Sequence, residues 1–174
     1  MAFSLSQASL PVFEIGLSAL SAVLDKGQAF AAAKNFDSAI LLSTRLAPDM
    51  FPLVRQVQIA CDQPKNGLAR VAEVEPPRYE DNEKTIDELK ARIAGTVAFL
   101  KTLDKAKIDA SLDRPITFPL GPTNKGHMSG GDYVLHFVLP NFYFHRTTAY
   151  DILRHCGVDI GKRDFMGGIP IKIT

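Results

Sequence analysis

Four stretches of this chain put an apolar side chain at every third or fourth position, a spacing that gathers those residues on one stripe of an α-helix. In the first, Leu10, Phe13, Leu17, Leu20 and Leu24 form the stripe. The second carries Met50, Leu53, Val54, Val57, Ala60 and Cys61, and the third Ile86, Leu89, Ile93, Val97 and Leu100. A fourth runs from Ser129 to about His155, with Val134, Phe137, Val138, Asn141, His145, Thr148 and Ile152 on or near one face. Each helix has one apolar face to hide, and a bundle is the natural way for four of them to do so.

Breaker residues set the boundaries. Pro11 fits a regular helix that starts close to it, because proline lacks only a donor left unpaired in a first turn. Asn35 and Asp37 read as stop and restart signals, and Ala39 to Leu46 as a short helix. Ala47-Pro48-Asp49 interrupts it, since the residue before proline is pushed out of the helical region. The second long helix is expected to start there, with Pro52 in its first turn and Asp49 near its positive end. Asp62-Gln63-Pro64 is expected to kink that helix, or to end it before a short extension through Leu68 and Val71.

Val74 to Asn82 holds Glu75-Pro76-Pro77 and no periodic face, so it reads as a surface connector. Between Asp104 and Gly131 the chain turns to Pro, Gly, Asn and Thr, with Ile116-Thr117-Phe118 as a strand and Gly121-Pro122-Thr123-Asn124 as a turn. Pro140 is expected to bend the last helix by freeing the carbonyl near His136. Gly157 supplies its C-cap, and Val158 to Thr174 an irregular tail. The expected fold is mostly α: a four-helix bundle with a short β-hairpin or irregular insertion before the last helix.

At 174 residues the chain buries enough surface for one core, so residues 1–174 are read as a single domain. The net charge is +1 and no stripe of Lys and Arg follows one face, which leaves no surface built to track phosphates. No nucleic acid is expected as partner. No run of about 18 uninterrupted apolar residues suggests a membrane span. The first residues also lack the basic segment of a signal peptide, so the expected location is the cytoplasm, without a membrane partner. Cys61 and Cys156 are too far apart for a metal knuckle or redox dithiol.

Familiar catalytic motifs are missing. Gly121 to His127 has glycines at P-loop spacing, but Lys and Ser/Thr do not follow the second one. There is no His-Glu-x-x-His pair, no Gly-x-Ser-x-Gly elbow and no dinucleotide fingerprint. Of the four histidines, His136 and His155 lie more than two helical turns from His145, too far to share a small ion with it. His145 has polar companions at helical reach in Asn141 and Thr148, with Arg146 and Tyr150 flanking its face. A core histidine satisfied by local hydrogen bonds and a binding residue both fit this pattern.

Four segments carry a resemblance: Arg45-Leu46-Ala47-Pro48-Asp49-Met50, Leu139-Pro140-Asn141-Phe142-Tyr143-Phe144-His145, Thr147-Thr148-Ala149-Tyr150-Asp151-Ile152-Leu153-Arg154 and Gly161-Lys162-Arg163-Asp164-Phe165. Together they resemble a family of unknown function in the DinB/YfiT-like superfamily, over nearly the whole chain. The resemblance implies a four-helix bundle, commonly dimeric. It also implies a divalent metal held by one histidine of the second helix and a His-x-x-x-His pair of the last, and in some members thiol-dependent S-transfer. By position His145 matches the second histidine of the pair, Asn141 stands in place of the first, and Asp49 is the nearest metal-capable side chain of the second helix.

Three functional expectations follow. The first is a homodimeric bundle binding a small ligand, without a cofactor, in a polar pocket of Asp49, Asn141, His145, Thr148 and Tyr150. The second is a metal-dependent thiol S-transferase with a weakly bound divalent metal on His145 and Asp49. In the third the polar residues are structural, with Arg163 and Asp164 pinning the tail. The sequence assigns no reaction.

Overall fold

The computed structural model describes residues 4–171, and in it each apolar stripe has become a helix. Helix α1 spans Leu5–Ala33 and starts well before Pro11. The cause is a capping box, in which the Ser4 hydroxyl accepts from the Gln7 amide and the Gln7 side chain returns to the Ser4 backbone. By length and composition α1 could cross a bilayer, with an 18-residue window of mean hydropathy 1.4, yet half of that window is buried in this fold. A positive φ of 56° at Asn35 turns the chain toward the short α2, Ala39–Ser43.

Helix α3 is Leu53–Ala72, with Pro52 as its N-cap. The expected start at Asp49 is therefore corrected: Asp49 and Met50 lie in the preceding connector, and Asp49 is exposed. Nor does Pro64 end the helix. It removes one backbone hydrogen bond, but Pro64, Cys61 and Leu68 are all buried, and their packing carries the helix through the gap. The left-handed Glu73, at φ 57°, closes it.

The following connector is more than a surface crossing. Arg92, on α4 (Ile86–Lys101), is only 2% exposed in its side chain and gathers three carboxylates from two segments. Its Nη1 lies 2.7 Å from Asp81 and 2.9 Å from Glu83, and its Nη2 2.9 Å from Asp62. The Tyr79 ring is 4.6 Å from this guanidinium and 4.3 Å from the buried Lys65 ammonium. Thr85 and Glu88 cap α4 reciprocally.

A short helix that periodicity does not show, α5, covers Lys105–Ala110 behind an Asp104 cap. The hairpin is present as β1 (Pro115–Leu120) and β2 (Asn124–Ser129), with Phe118 opposite Gly126. A Cβ at Gly126 would meet the Phe118 ring at 2.5 Å, so only glycine lets that ring fold across the partner strand.

The last long helix runs through α6 (Gly130–Asp132), a π-helical turn at Tyr133–Val138 and α7 (Leu139–His155). The bend expected at Pro140 is resolved as this π-helical turn. Leu139 N–H reaches back five residues to the Val134 carbonyl, which widens the helix just before the proline that cannot donate. The tail is less irregular than expected, since Lys162–Met166 forms α8. Asp164 there meets Lys26 of α1 at 2.7 Å, while Arg163 is exposed. Arg146 donates to the Phe165 carbonyl, and its guanidinium lies 3.9 Å from the Phe165 ring centroid. Residues 172–174 of that tail fall outside the described residues.

Contacts of α1 with α4, α4 with α3, α3 with α7 and α7 with α1 close a ring, the mark of a four-helix bundle. One hydrophobic cluster, from Leu5 to Ile160, fills it. The α3–α7 face is the most extensive of these contacts, and His145 lies on it.

Candidate functional site

His145 is part-buried on α7 and meets Gln56 of α3, which is 1% exposed. Gln56 Nε2 donates to the Phe51 carbonyl at 3.0 Å. A carbonyl oxygen only accepts, so this bond fixes the orientation of the amide. Gln56 Oε1 then faces His145 Nδ1 at 2.7 Å, and Nδ1 must carry the proton. Nε2 is left as a lone-pair nitrogen.

Burial, and secondarily the positive charge of Arg55, push the His145 imidazole down to about 4. At neutral pH the ring is uncharged and holds one tautomer. Its Nε2 bonds to none of the described residues. Phe144, 58% exposed, lies edge-on to the ring with centroids 5.1 Å apart. The arrangement presents a neutral, pre-oriented acceptor beside an exposed aromatic ring.

The other expected pocket residues do different work. Asn141 Nδ2 donates to the Phe137 carbonyl at 2.7 Å, supplying a side-chain donor beside the π-helical turn where Pro140 has none. Thr148 donates to the Phe144 carbonyl at 2.8 Å, and Tyr150 donates to the Ile160 carbonyl at 3.4 Å. All three hydrogen bonds go to backbone. Asp49 is exposed in the connector, and Arg45 there donates to the Met50 carbonyl at 3.4 Å instead of meeting Asp49. The five residues therefore do not converge on one pocket. Gln56, which sequence reasoning passed over, is the residue that meets His145.

Among the described residues no group of three or more His, Cys, Asp or Glu side chains is placed to hold a metal. Around His145 the donors are one imidazole and the Gln56 amide. Transition-metal sites need several strong N or S donors or carboxylates, so the residues present do not fit the metal that the superfamily resemblance implies. The buried Cys61 thiol is pushed up to about 12, chiefly by burial, and supplies no thiolate at neutral pH. Cys156 is half-buried.

Four long helices closed in a ring, with a small antiparallel hairpin before the last, make a mostly α bundle of the DinB-like kind. The chain belongs to the family described as a domain of unknown function, DUF1993, whose model matches residues 5–166. A crystal structure of a DinB family member protein from Shewanella denitrificans is similar to it, with 39% sequence identity and a TM-score of 0.87 over 95% of this chain and 93% of that one. No curated protein sequence matches the chain.

Proposed function

We propose that the protein binds a small ligand at His145, through a hydrogen bond from a ligand donor to Nε2 and apolar contact with Phe144. The observation that supports this is the relay from His145 Nδ1 through Gln56 to the Phe51 carbonyl. It fixes one tautomer of a neutral ring and leaves its acceptor nitrogen without a partner among the described residues. Asn141, Thr148 and Tyr150 serve this reading by stiffening α7 around His145, not by lining the site.

The test is a screen of small hydrogen-bond donors against isotopically labelled protein, reading the His145 ring resonances and thermal stability. A ligand at a hundred times its Kd adds about 2.7 kcal/mol of stability. Compounds that move the His145 resonances in the native chain and lose their effect in H145N uphold the reading. A library that stabilises nothing and moves no His145 resonance refutes it. The thiol S-transferase alternative needs a tightly held divalent ion, so protein purified without a His-tag and reconstituted with Zn²⁺ decides it. Less than about a tenth of an equivalent retained rejects that alternative.

A further inference from the structure

A second site lies away from His145. Where α3, the hairpin and the π-helical turn meet, there is a half-open cavity of about 200 Å³ lined in part by Asn66 and Arg70 of α3, Phe118 of β1, and Tyr133 and Phe137. The rings of Phe118, Tyr133 and Phe137 form one aromatic wall, with centroids 4.6 to 5.7 Å apart. Gly67 allows the close approach that shapes the site, because a Cβ there would meet Val138 at 2.7 Å.

The polar side of the cavity has spare donors and an uncompensated positive charge. Arg70 makes no ion pair among the described residues, and its side-chain hydrogen bond there goes from Nη1 to Tyr133 Oη at 2.5 Å. Arginine only donates, so the phenol oxygen is the acceptor and the phenol proton remains free to donate. Burial raises the Tyr133 pKa, which keeps that proton in place at neutral pH. Asp62 also borders the cavity, but its carboxylate is already matched by Arg92 at 2.9 Å and Lys65 at 3.1 Å. The site is therefore net positive, with guanidinium and phenol donors beside an apolar wall.

We infer that this cavity binds a small organic anion, a carboxylate attached to one ring or a short apolar body. The carboxylate accepts from Arg70 and Tyr133, with the Asn66 amide bordering the same space, and the body stacks on Phe118 and Phe137. Size sets the limit. An apolar cavity of about 150 Å³ admits benzene, so roughly 200 Å³ admits one ring with its carboxylate.

Benzoate is the probe and benzamide its uncharged match in shape, each titrated into the labelled native protein and followed by amide chemical shifts. The expected result is saturable benzoate binding, with a Kd of about 1 mM or tighter, and shifts centred on Asn66, Gly67, Arg70, Tyr133 and Phe137. Benzamide should bind at least about tenfold more weakly, since it lacks the charge that Arg70 meets. In R70Q the benzoate shifts should vanish while the remaining spectrum stays native, and Y133F should weaken binding severalfold. Three results overturn the inference: no saturable shift, equal affinity for the two probes, or shifts centred on His145. The two native-chain titrations decide the matter even if R70Q fails to fold. Because the readout residues differ, failure here leaves the His145 reading standing, and the reverse also holds.

Discussion

His145 should make the stability of this protein depend on pH in a window where ordinary carboxylates contribute little. The imidazole titrates near its usual 6.5 in the unfolded chain and at about 4 in the folded one. Between those values the unfolded state binds a proton that the folded state refuses, so stability rises with pH. The contribution is fully present above about pH 6.5 and is lost as pH falls toward 4. From pH 8 to pH 5 the loss works out to about 2 kcal/mol, which for a chain of this length lowers Tm by about 4–8 °C. The assay is urea unfolding of the native protein and H145N at a series of pH values. Subtracting one curve from the other cancels every other titrating group, and the difference should grow by about 2 kcal/mol between pH 5 and pH 8. Titration of the His145 ring resonances gives the midpoint directly. Because Arg55 is the second cause of the depressed pKa, R55Q should raise that midpoint modestly and leave most of the shift, which is desolvation, in place. A midpoint near 6.5, or a difference that stays flat with pH, would falsify the burial argument and with it the single-tautomer site.

The remaining expectations concern how the site is held. G67A puts a methyl group 2.7 Å from Val138 and should cost about 1–3 kcal/mol by overpacking α3 against the π-helical turn; V138A in the same chain should return most of it in a double-mutant cycle. R92A empties the space among Asp62, Asp81 and Glu83; Lys65 still pairs Asp62 and Arg55 still pairs Asp81, but Glu83 loses its cation, so the change should cost about 3 kcal/mol in urea unfolding. N141A removes one donor to the Phe137 carbonyl and should cost about 0.5–1.5 kcal/mol, while the His145 midpoint stays where it was. A changed midpoint in N141A would mean that Asn141 belongs to the site after all.

The helices were legible because their apolar faces repeat over several turns, and burial follows that period closely: Phe13, Leu17, Leu20 and Leu24 are all at most 2% exposed. Ends were harder, since they turn on single contacts. The capping hydrogen bonds of Ser4 carry α1 past Pro11, and the N-cap at Pro52 leaves Asp49 outside α3. At five or six residues, α5 and α8 are too short for a period to show. Contacts distant in sequence hold both of them. The Asp109 carboxylate of α5 accepts from the Ser6 backbone at 2.7 Å, and Asp164 of α8 reaches Lys26. Pro140 led the sequence reading to a bend, and the structure has a π-helical turn just before it. The choice of a π-helical turn belongs to packing, in which Val138 sits against Gly67 of another helix.

For the site, helical spacing identified what lies next to His145 along α7 and misjudged what those neighbours do. Residues four apart on a helix share a face, but a short polar side chain there can also turn back to the carbonyl one turn earlier, as Asn141 and Thr148 do. Spacing within one helix carries no information about the rotation and register of a second helix, and these decide what an interhelical histidine touches. Gln56 is separated from His145 by 89 positions, and in the sequence it was one polar residue between Leu53, Val54 and Val57. A signal was nonetheless present: Gln56 lies three positions after Leu53 and four before Ala60, both stripe residues, which places it at the edge of the apolar face. A polar residue at that edge is buried if the partner helix supplies a matching group, and a histidine is a residue that can do so. Polar residues that interrupt an apolar stripe on two different helices are best considered as a candidate pair before either is assigned to a pocket of its own.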